Sequence, residues 1–206
     1  ADAKYKLNIA GTAAVAKIGL DGQANTLTYD SEVNYYYGSN KADTISYTGT
    51  DNQEIWLNNS TATKYYGVEN ITASTSTADV KLMGDSNANV ITGGQGTSTL
   101  WGGAGNDTLV GGTGTNIYGF GKGDGNDIIT TTNSKDQVNL YNVATADLDL
   151  TKTGLSNGTM TIALTDGSTA TLKNYGATSV NTFVLTDATY TYDYTKKTGT
   201  NGWSKK

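Results

Sequence analysis

Through the middle of this chain a large apolar residue returns at the same place in successive runs of nine. From Gly84 to Thr130 the sequence divides into GDSNANVIT, GGQGTSTLW, GGAGNDTLV and GGTGTNIYG, and then, after a slip of two residues, KGDGNDIIT. The eighth places are Ile91, Leu100, Leu109, Tyr118 and Ile129; the sixth places are Asn89, Ser98, Asp107, Asn116 and Asp127. Six glycine-rich residues can form a turn that visits backbone conformations closed to residues with a Cβ. The next three make a very short strand with only its middle side chain facing inward. Turn and strand together reverse the chain, so about two blocks complete a coil, and coils stack at the strand spacing of roughly 4.8 Å. A coil with two inward apolar side chains cannot stand alone, so neighbours must stack and the turns must be held.

On either side the pattern loosens. Residues 1–83 read as strands and turns, with LNIAG, AKIGL and TLTYD as short apolar runs between Gly, Asn and Asp. GSNKADTIS resembles a decayed block with Asp43 sixth and Ile45 eighth; GTDNQEIWL resembles another with Glu54 sixth and Trp56 eighth. This half reads as irregular coils of the same solenoid, with a separate small β-domain as the alternative. Tyr35, Tyr36 and Tyr37 cannot all face inward on one strand. Exposed tyrosines there suit sugar or protein contact, or cover a side of the solenoid. After Thr130 the glycine period stops. DQVNLYNV alternates, TMTIALTDGSTATLKNY predicts a hairpin with a type I′ turn at Asp166-Gly167, and Tyr190, Tyr192 and Tyr194 share one face of a strand. A solenoid needs its open end covered, so residues 131–206 read as an antiparallel β cap, ending in an exposed tail, TKKTGTNGWSKK. The whole is all-β: a parallel β-roll or β-solenoid over 84–130, irregular coils before it and a cap after it.

Composition narrows the function. Of 206 residues, 36% are hydrophobic, which suits a thin solenoid core better than a thick globular one. Without Cys there are no disulfides or thiol chemistry, and without His the usual general base is missing. Every basic residue is Lys and the net charge is -5, so no basic patch suits nucleic acid. No apolar run is long enough to span a membrane. The start, ADAKYKLNIAGTAAVAKIGL, carries Asp2 and no long apolar run, so it does not read as a signal peptide. GLSNG, Gly154 to Gly158, matches G-x-S-x-G, but a nucleophile elbow needs a strand-to-helix setting and a histidine partner. It reads as an ordinary turn, and the chain as a non-enzyme.

The chemistry lies in the glycine turns. Ca²⁺ takes about 6–8 oxygens and accepts carbonyls beside carboxylates. A glycine-rich turn can point its carbonyls to one place, and an aspartate at the sixth place adds charge. The blocks match G-G-x-G-x-D-x-U-x, the calcium-binding nonapeptide, and the third, GGAGNDTLV, fits at every fixed place. The stretch resembles the RTX family of secreted bacterial proteins. The resemblance implies a parallel β-roll with ions between turns two blocks apart. The earlier turn gives places two, four and six, and the later gives one, three and six. Carried over, one site uses Gly103, Gly105 and Asp107 with Lys122, Asp124 and Asp127, Lys122 giving only its carbonyl. A weaker site uses Asp85, Asn87 and Asn89 with Gly102, Ala104 and Asp107. On the opposite flank Gly94, Gly96 and Ser98 with Gly111, Thr113 and Asn116 have no carboxylate, and an amide ladder without metal is expected.

The function expected is a calcium-binding structural module of a secreted bacterial protein, extracellular or at the cell surface. It would fold on Ca²⁺ binding and serve adhesion or as the secretion and stability tail of a larger protein. The resemblance also implies export by a route that reads the C-terminal end. Alternatives are a self-assembling surface-layer or filament subunit, and a carbohydrate-binding module using Tyr35 to Tyr37. Partners are then calcium ions, further copies of the chain, or a surface glycan or protein.

Overall fold

A computed structural model describes residues 4–9, 12–18, 22–33, 35–39, 41–57, 64–132, 134–173, 175, 182–193 and 202–206. Tyr194 and tail residues 195–201 lie outside them. At the start β1 (Lys4–Ile9) and β2 (Thr12–Ile18) form an antiparallel hairpin. Short strands follow: β3 (Thr26–Thr28), β4 (Tyr35–Tyr37), β5 (Thr44–Ser46), β6 (Gln53–Trp56), β7 (Lys64–Tyr66), β8 (Asn70–Thr72) and β9 (Val80–Met83). The glycine blocks supply β10 (Val90–Thr92), β11 (Ser98–Trp101), β12 (Thr108–Val110), β13 (Asn116–Gly121) and β14 (Asn126–Thr130). Then come β15 (Gln137–Tyr141), a 3₁₀ turn (Thr145–Asp147), β16 (Gly154–Ser156), β17 (Thr159–Ala163) and β18 (Thr169–Leu172). Last are β19 (Thr182–Val184), β20 (Thr189–Tyr192) and β21 (Trp203–Lys205). Among the described residues no helix is long and apolar enough to cross a membrane.

From β8 to β15 successive strands alternate between two facing sheets. One runs β16-β17-β18-β14-β12-β10-β8-β5-β3, the other β21-β20-β19-β15-β13-β11-β9-β6, and a small side sheet runs β1-β2-β4-β7. Within the roll the pairings are parallel and in strict register, so inward residues stack on one another. On the first sheet Leu27, Ile45, Ile71, Ile91, Leu109, Ile129 and Leu172 form one buried ladder. On the second, Ile55, Leu82, Leu100, Tyr118, Val138 and Phe183 form the other. Burying each such side chain is worth about 1.5–3 kcal/mol relative to exposure. The two ladders are the core, and its thinness explains the low hydrophobic fraction.

The two-residue slip does not disturb this register. The extra Phe120-Gly121 lengthens β13, and Phe120 turns inward opposite Leu140 of β15. Lys122 then begins a turn that sits on the turn begun by Gly102, because Thr108 pairs with Ile128. Parallel stacking also outlasts the glycine period: β18 adds to β14 and β19 to β15 in parallel. Antiparallel strands β16, β17, β20 and β21 then close the C-terminal end of both sheets.

Two readings of the sequence are corrected. In GTDNQEIWL the inward residue is Ile55, paired with Leu82, while Trp56 faces out. The decayed block is out of phase by one residue, and in a strand one residue exchanges the faces. Gln53, not Glu54, therefore holds the sixth place, in line with Ser98 through Val80. The Asp166-Gly167 turn is also not type I′. Only Gly167 has positive φ, and Leu164 N–H donates to the Ser168 carbonyl across a three-residue loop. The turn with two positive φ residues is Asn157-Gly158, between β16 and β17, within the GLSNG motif. The tyrosine triplet divides as strand geometry requires: Tyr36 is buried and stacks on Tyr65, while Tyr37 stacks outside on Tyr66.

Candidate metal centre

Along one edge of the first sheet, the residue two before each inward side chain lines up coil after coil: Asn25, Asp43, Glu69, Asn89, Asp107 and Asp127. Except at Asn89, each side chain after the first receives the backbone N–H of the preceding member. Asp43 N–H donates to Glu69 Oε2 (2.8 Å), Asn89 N–H to Asp107 Oδ1 (2.7 Å) and Asp107 N–H to Asp127 Oδ1 (3.0 Å). Each bond satisfies an N–H at a turn-to-strand junction where water does not reach.

The two last members differ from the rest. Asp107 and Asp127 are each about 1% exposed, and each keeps one carboxylate oxygen, Oδ2, buried with no hydrogen-bond partner. A buried anionic oxygen without a donor is costly unless a cation faces it. Burial, with the neighbouring carboxylates, pushes the Asp107 carboxyl up to about 6 and that of Asp127 to about 7, although each accepts a backbone N–H. Asp124 is also raised, by burial first. Burial and mutual repulsion make these three acids resist ionisation, and a cation beside them would relieve both.

The turns around them are built for close approach. Turn 102–107 lies against turn 122–127, with Gly105 bridged to Gly125 in parallel. Gly125 has φ +95°, and a Cβ there would stand 1.9 Å from the Gly105 carbonyl oxygen. A Cβ on Gly102 would stand 2.0 Å from Asp107 Oδ2. The orphaned oxygen occupies the space glycine leaves open. On the other side, turn 84–89 packs on the same middle turn, since a Cβ on Gly103 would meet the Asp85 carbonyl at 2.2 Å. Among the described residues no three acidic side chains converge as a ligand set. The further oxygens at hand are the turn carbonyls, which Ca²⁺ accepts.

The predicted residues are thus brought together, but not in equal states. Lys122 turns its ammonium away to Asp147 (2.8 Å), leaving its carbonyl. The Asp124 carboxylate is engaged through Oδ2, which accepts from Trp101 Nε1 (2.9 Å) and Gly121 N–H (2.7 Å). In the neighbouring turn Asp85 closes on Asn87, accepting its N–H and its side-chain amide. Asn89 is likewise committed, accepting from Asp85 N–H and donating to the Glu69 carbonyl. Both oxygens of the Asp85 carboxylate already accept N–H groups, whereas Oδ2 of Asp127 accepts none.

The opposite edge is closed by hydrogen bonds. Ser98 Oγ accepts from Gly94 N–H, and Asn116 Oδ1 from Gly112 N–H. Asn116 Nδ2 donates to the Gly112 and Gly114 carbonyls and to Asp136 Oδ1. Asp136, which the sequence reading passed over, accepts from Asn116 N–H and Thr132 N–H. It stands sixth, two before inward Val138, in a block with no glycine; the D-x-apolar spacing was its only signal. Asp43 is satisfied in the same manner. Burial works against its charge, but bonds from Ser39 and Asn25 outweigh it and hold the carboxyl below the usual range.

The last glycine turn is pinned from outside by the C-terminal hairpin. Gly123 N–H donates to Asp166 Oδ2 (2.8 Å), and the Asp166 carboxyl is lowered chiefly by the Ser168 N–H it also accepts.

A search of curated proteins finds no match to the chain. The family model for the RTX calcium-binding nonapeptide repeat (4 copies) matches residues 83–118, which include turns 84–89 and 102–107 but not turn 122–127. That last turn enters through its register with Asp107 rather than through the match. By that match residues 83–118 are RTX calcium-binding nonapeptide repeats, and calcium is the ion that such repeats bind.

Proposed function

We propose that this calcium-binding β-roll is a structural module that works outside the bacterial cell and is clasped shut by calcium at one edge. The principal site uses the carboxylates of Asp107 and Asp127 with the carbonyls of Gly103, Gly105, Lys122 and Asp124. A weaker one lies between Asp85, Asn87 and Asn89 and the carbonyls of Gly102 and Ala104. The observation that carries this is the pair of orphaned oxygens, Asp107 Oδ2 and Asp127 Oδ2, on adjacent turns. Every other described carboxylate of the two edge ladders that is fully buried has donors.

Calcium bound there neutralises the two carboxylates and ties stacked turns together. A site assembled from several coils does not exist in the unfolded chain, so its binding energy is folding energy. Such a module stays soft where calcium is scarce and sets where it is abundant, which suits export followed by folding. On this reading residues 84–130 are the calcium roll, 1–83 its irregular extension and 131–206 its cap. The assembly serves as a stalk, an adhesin segment or the tail of a larger exported protein.

The test is a calcium titration of chelated protein, followed by circular dichroism and thermal melting. Strand signal and melting temperature should rise together as calcium reaches millimolar levels. An unchanged melting temperature there removes the proposal.

A further inference from the structure

The outer face of the second sheet carries a feature that the calcium turns do not use. Parallel register sets Trp56, Met83 and Trp101 side by side on β6, β9 and β11. The next position in that row is Gly119 of β13, and Tyr141 leans across it. A Cβ on Gly119 would lie 2.6 Å from the Tyr141 ring, and the Trp101 and Tyr141 rings are 5.5 Å apart. Trp56 remains 37% exposed and Tyr141 39%, among the few large apolar side chains so exposed. These four side chains floor a trough of about 420 Å³ walled by Lys81, Thr99 and Asn139.

Lys81 and Thr99 also line a second hollow of similar size that continues the first, with Asn52, Gln53, Asp79 and Thr97 around it. One half is aromatic, and the other offers amides, a hydroxyl and a carboxylate. The wall's lysine is already paired, Lys81 Nζ with Glu54 Oε1 at 2.6 Å, and Asp79 adds a further negative charge. An anionic polymer would find no spare cation there. The trough crosses the strands, so it runs along the roll. Trp56 and Trp101 lie two strands apart, roughly 10 Å at the usual strand spacing, comparable with the length of a disaccharide. The Trp101 ring is held by its Nε1–H bond to Asp124 Oδ2.

We propose that this trough binds a neutral, linear glycan whose sugars are joined equatorially. Such a chain is a flat ribbon with apolar C–H faces and hydroxyls along both edges. Its apolar face would lie on Trp56 and Trp101, with the Tyr141 ring, tilted 38° to that of Trp101, at one end of the row, since aromatic rings offer wide, rigid apolar surface. Its hydroxyls would meet Asn52, Asn139, Thr99 and the Lys81–Glu54 pair. The site stands apart from Tyr35 to Tyr37, where Tyr36 is in the core and stacked on Tyr65. It rests on the calcium reading only in needing a folded roll.

The test uses the full chain in calcium, with circular dichroism confirming the fold so that a failure to fold is separated from a failure to bind. Cellohexaose, chitohexaose and maltohexaose are titrated by calorimetry and tryptophan fluorescence. At least one of the first two should bind and shift the emission, and maltohexaose, whose axial links coil the chain, should bind at least tenfold more weakly. Trp56→Ala and Tyr141→Ala should each weaken binding at least tenfold, and Leu150→Ala, exposed elsewhere, should leave it unchanged. The proposal is overturned if neither equatorially linked hexaose binds at millimolar concentration, if maltohexaose binds equally well, or if both aromatic variants bind normally. Self-association abolished by Trp56→Ala, without sugar binding, would give the face to a second copy and overturn it too.

Discussion

Asp127 and Asp136 are the same residue in the same kind of place, yet their surroundings differ. Both are about 1% exposed, but Asp136 meets donors at both oxygens while Asp127 Oδ2 meets none. Asp127→Asn should therefore weaken calcium binding roughly tenfold or more, since affinity follows ligand charge. The metal-free melting temperature should hold or rise, because an amide carries no uncompensated charge. Asp136→Ala should instead cost about 1–3 kcal/mol with or without calcium, by stranding buried donors. Calorimetry and chelated melts separate the two, and equal calcium affinities for both variants would contradict the assignment. The pH behaviour follows from the same atoms. In the metal-free fold burial raises Asp107 to about 6 and Asp127 to about 7, above the unfolded value near 4. Between roughly pH 4 and 7 the native state then binds more protons than the unfolded chain, so these groups make stability decline as pH rises through that window. Carboxyls whose pKa is lowered, such as Asp43 and Asp166, lose their contribution only below it. Chelated protein should melt higher at pH 5 than at pH 8. Calcium, which competes with those protons, should remove or reverse the difference.

At the scale of the strand, a three-residue element with one inward side chain leaves little redundancy. Leu109 is wholly buried, stacked between Ile91 and Ile129. Leu109→Ala should cost about 2–5 kcal/mol, by lost transfer and by the cavity left behind. Val90, its strand neighbour's outward companion, is exposed, and Val90→Ala should stay within about 0.5 kcal/mol. Urea denaturation of the two in calcium checks the contrast. The same scale shows why Trp56 was misplaced. A large apolar residue beside Ile55 invites either phase, and without a glycine turn to set the count only the pairing of Ile55 with Leu82 decides it. The two tight turns teach a related point. Asn-Gly and Asp-Gly carry nearly the same local preference, but Asp166 is drawn to the N–H groups of Gly123 and Ser168. That tertiary pull accompanies a three-residue loop at Asp166 and leaves the two-residue turn to Asn157-Gly158.

Across the whole molecule the turns act together, since each coil is stable only against its neighbours. Gly125→Ala is the sharp test. Its Cβ would stand 1.9 Å from the Gly105 carbonyl, and its φ of +95° is strained for any L side chain. The substitution should push turn 122–127 off turn 102–107 and lower the calcium-loaded melting temperature far more than the chelated one. Gly22→Ala, with positive φ but open space around it, carries the backbone cost alone and should lower both alike.

The nonapeptide spacing by itself determined the repeating unit and its inward residues, because a strict period in glycine and apolar residues has few folded solutions. It could not determine which coils sit on which beyond the slip, since two added residues can enter a strand or a turn at similar local cost; the packing of Phe120 on Leu140 chose the strand. Nor could it show that Asp107 and Asp127 each keep an oxygen without a donor while Asp43 and Asp136 have donors at both. A carboxylate's charge is a property of the donors around it, and those donors arrive from coils 18 or 20 residues away.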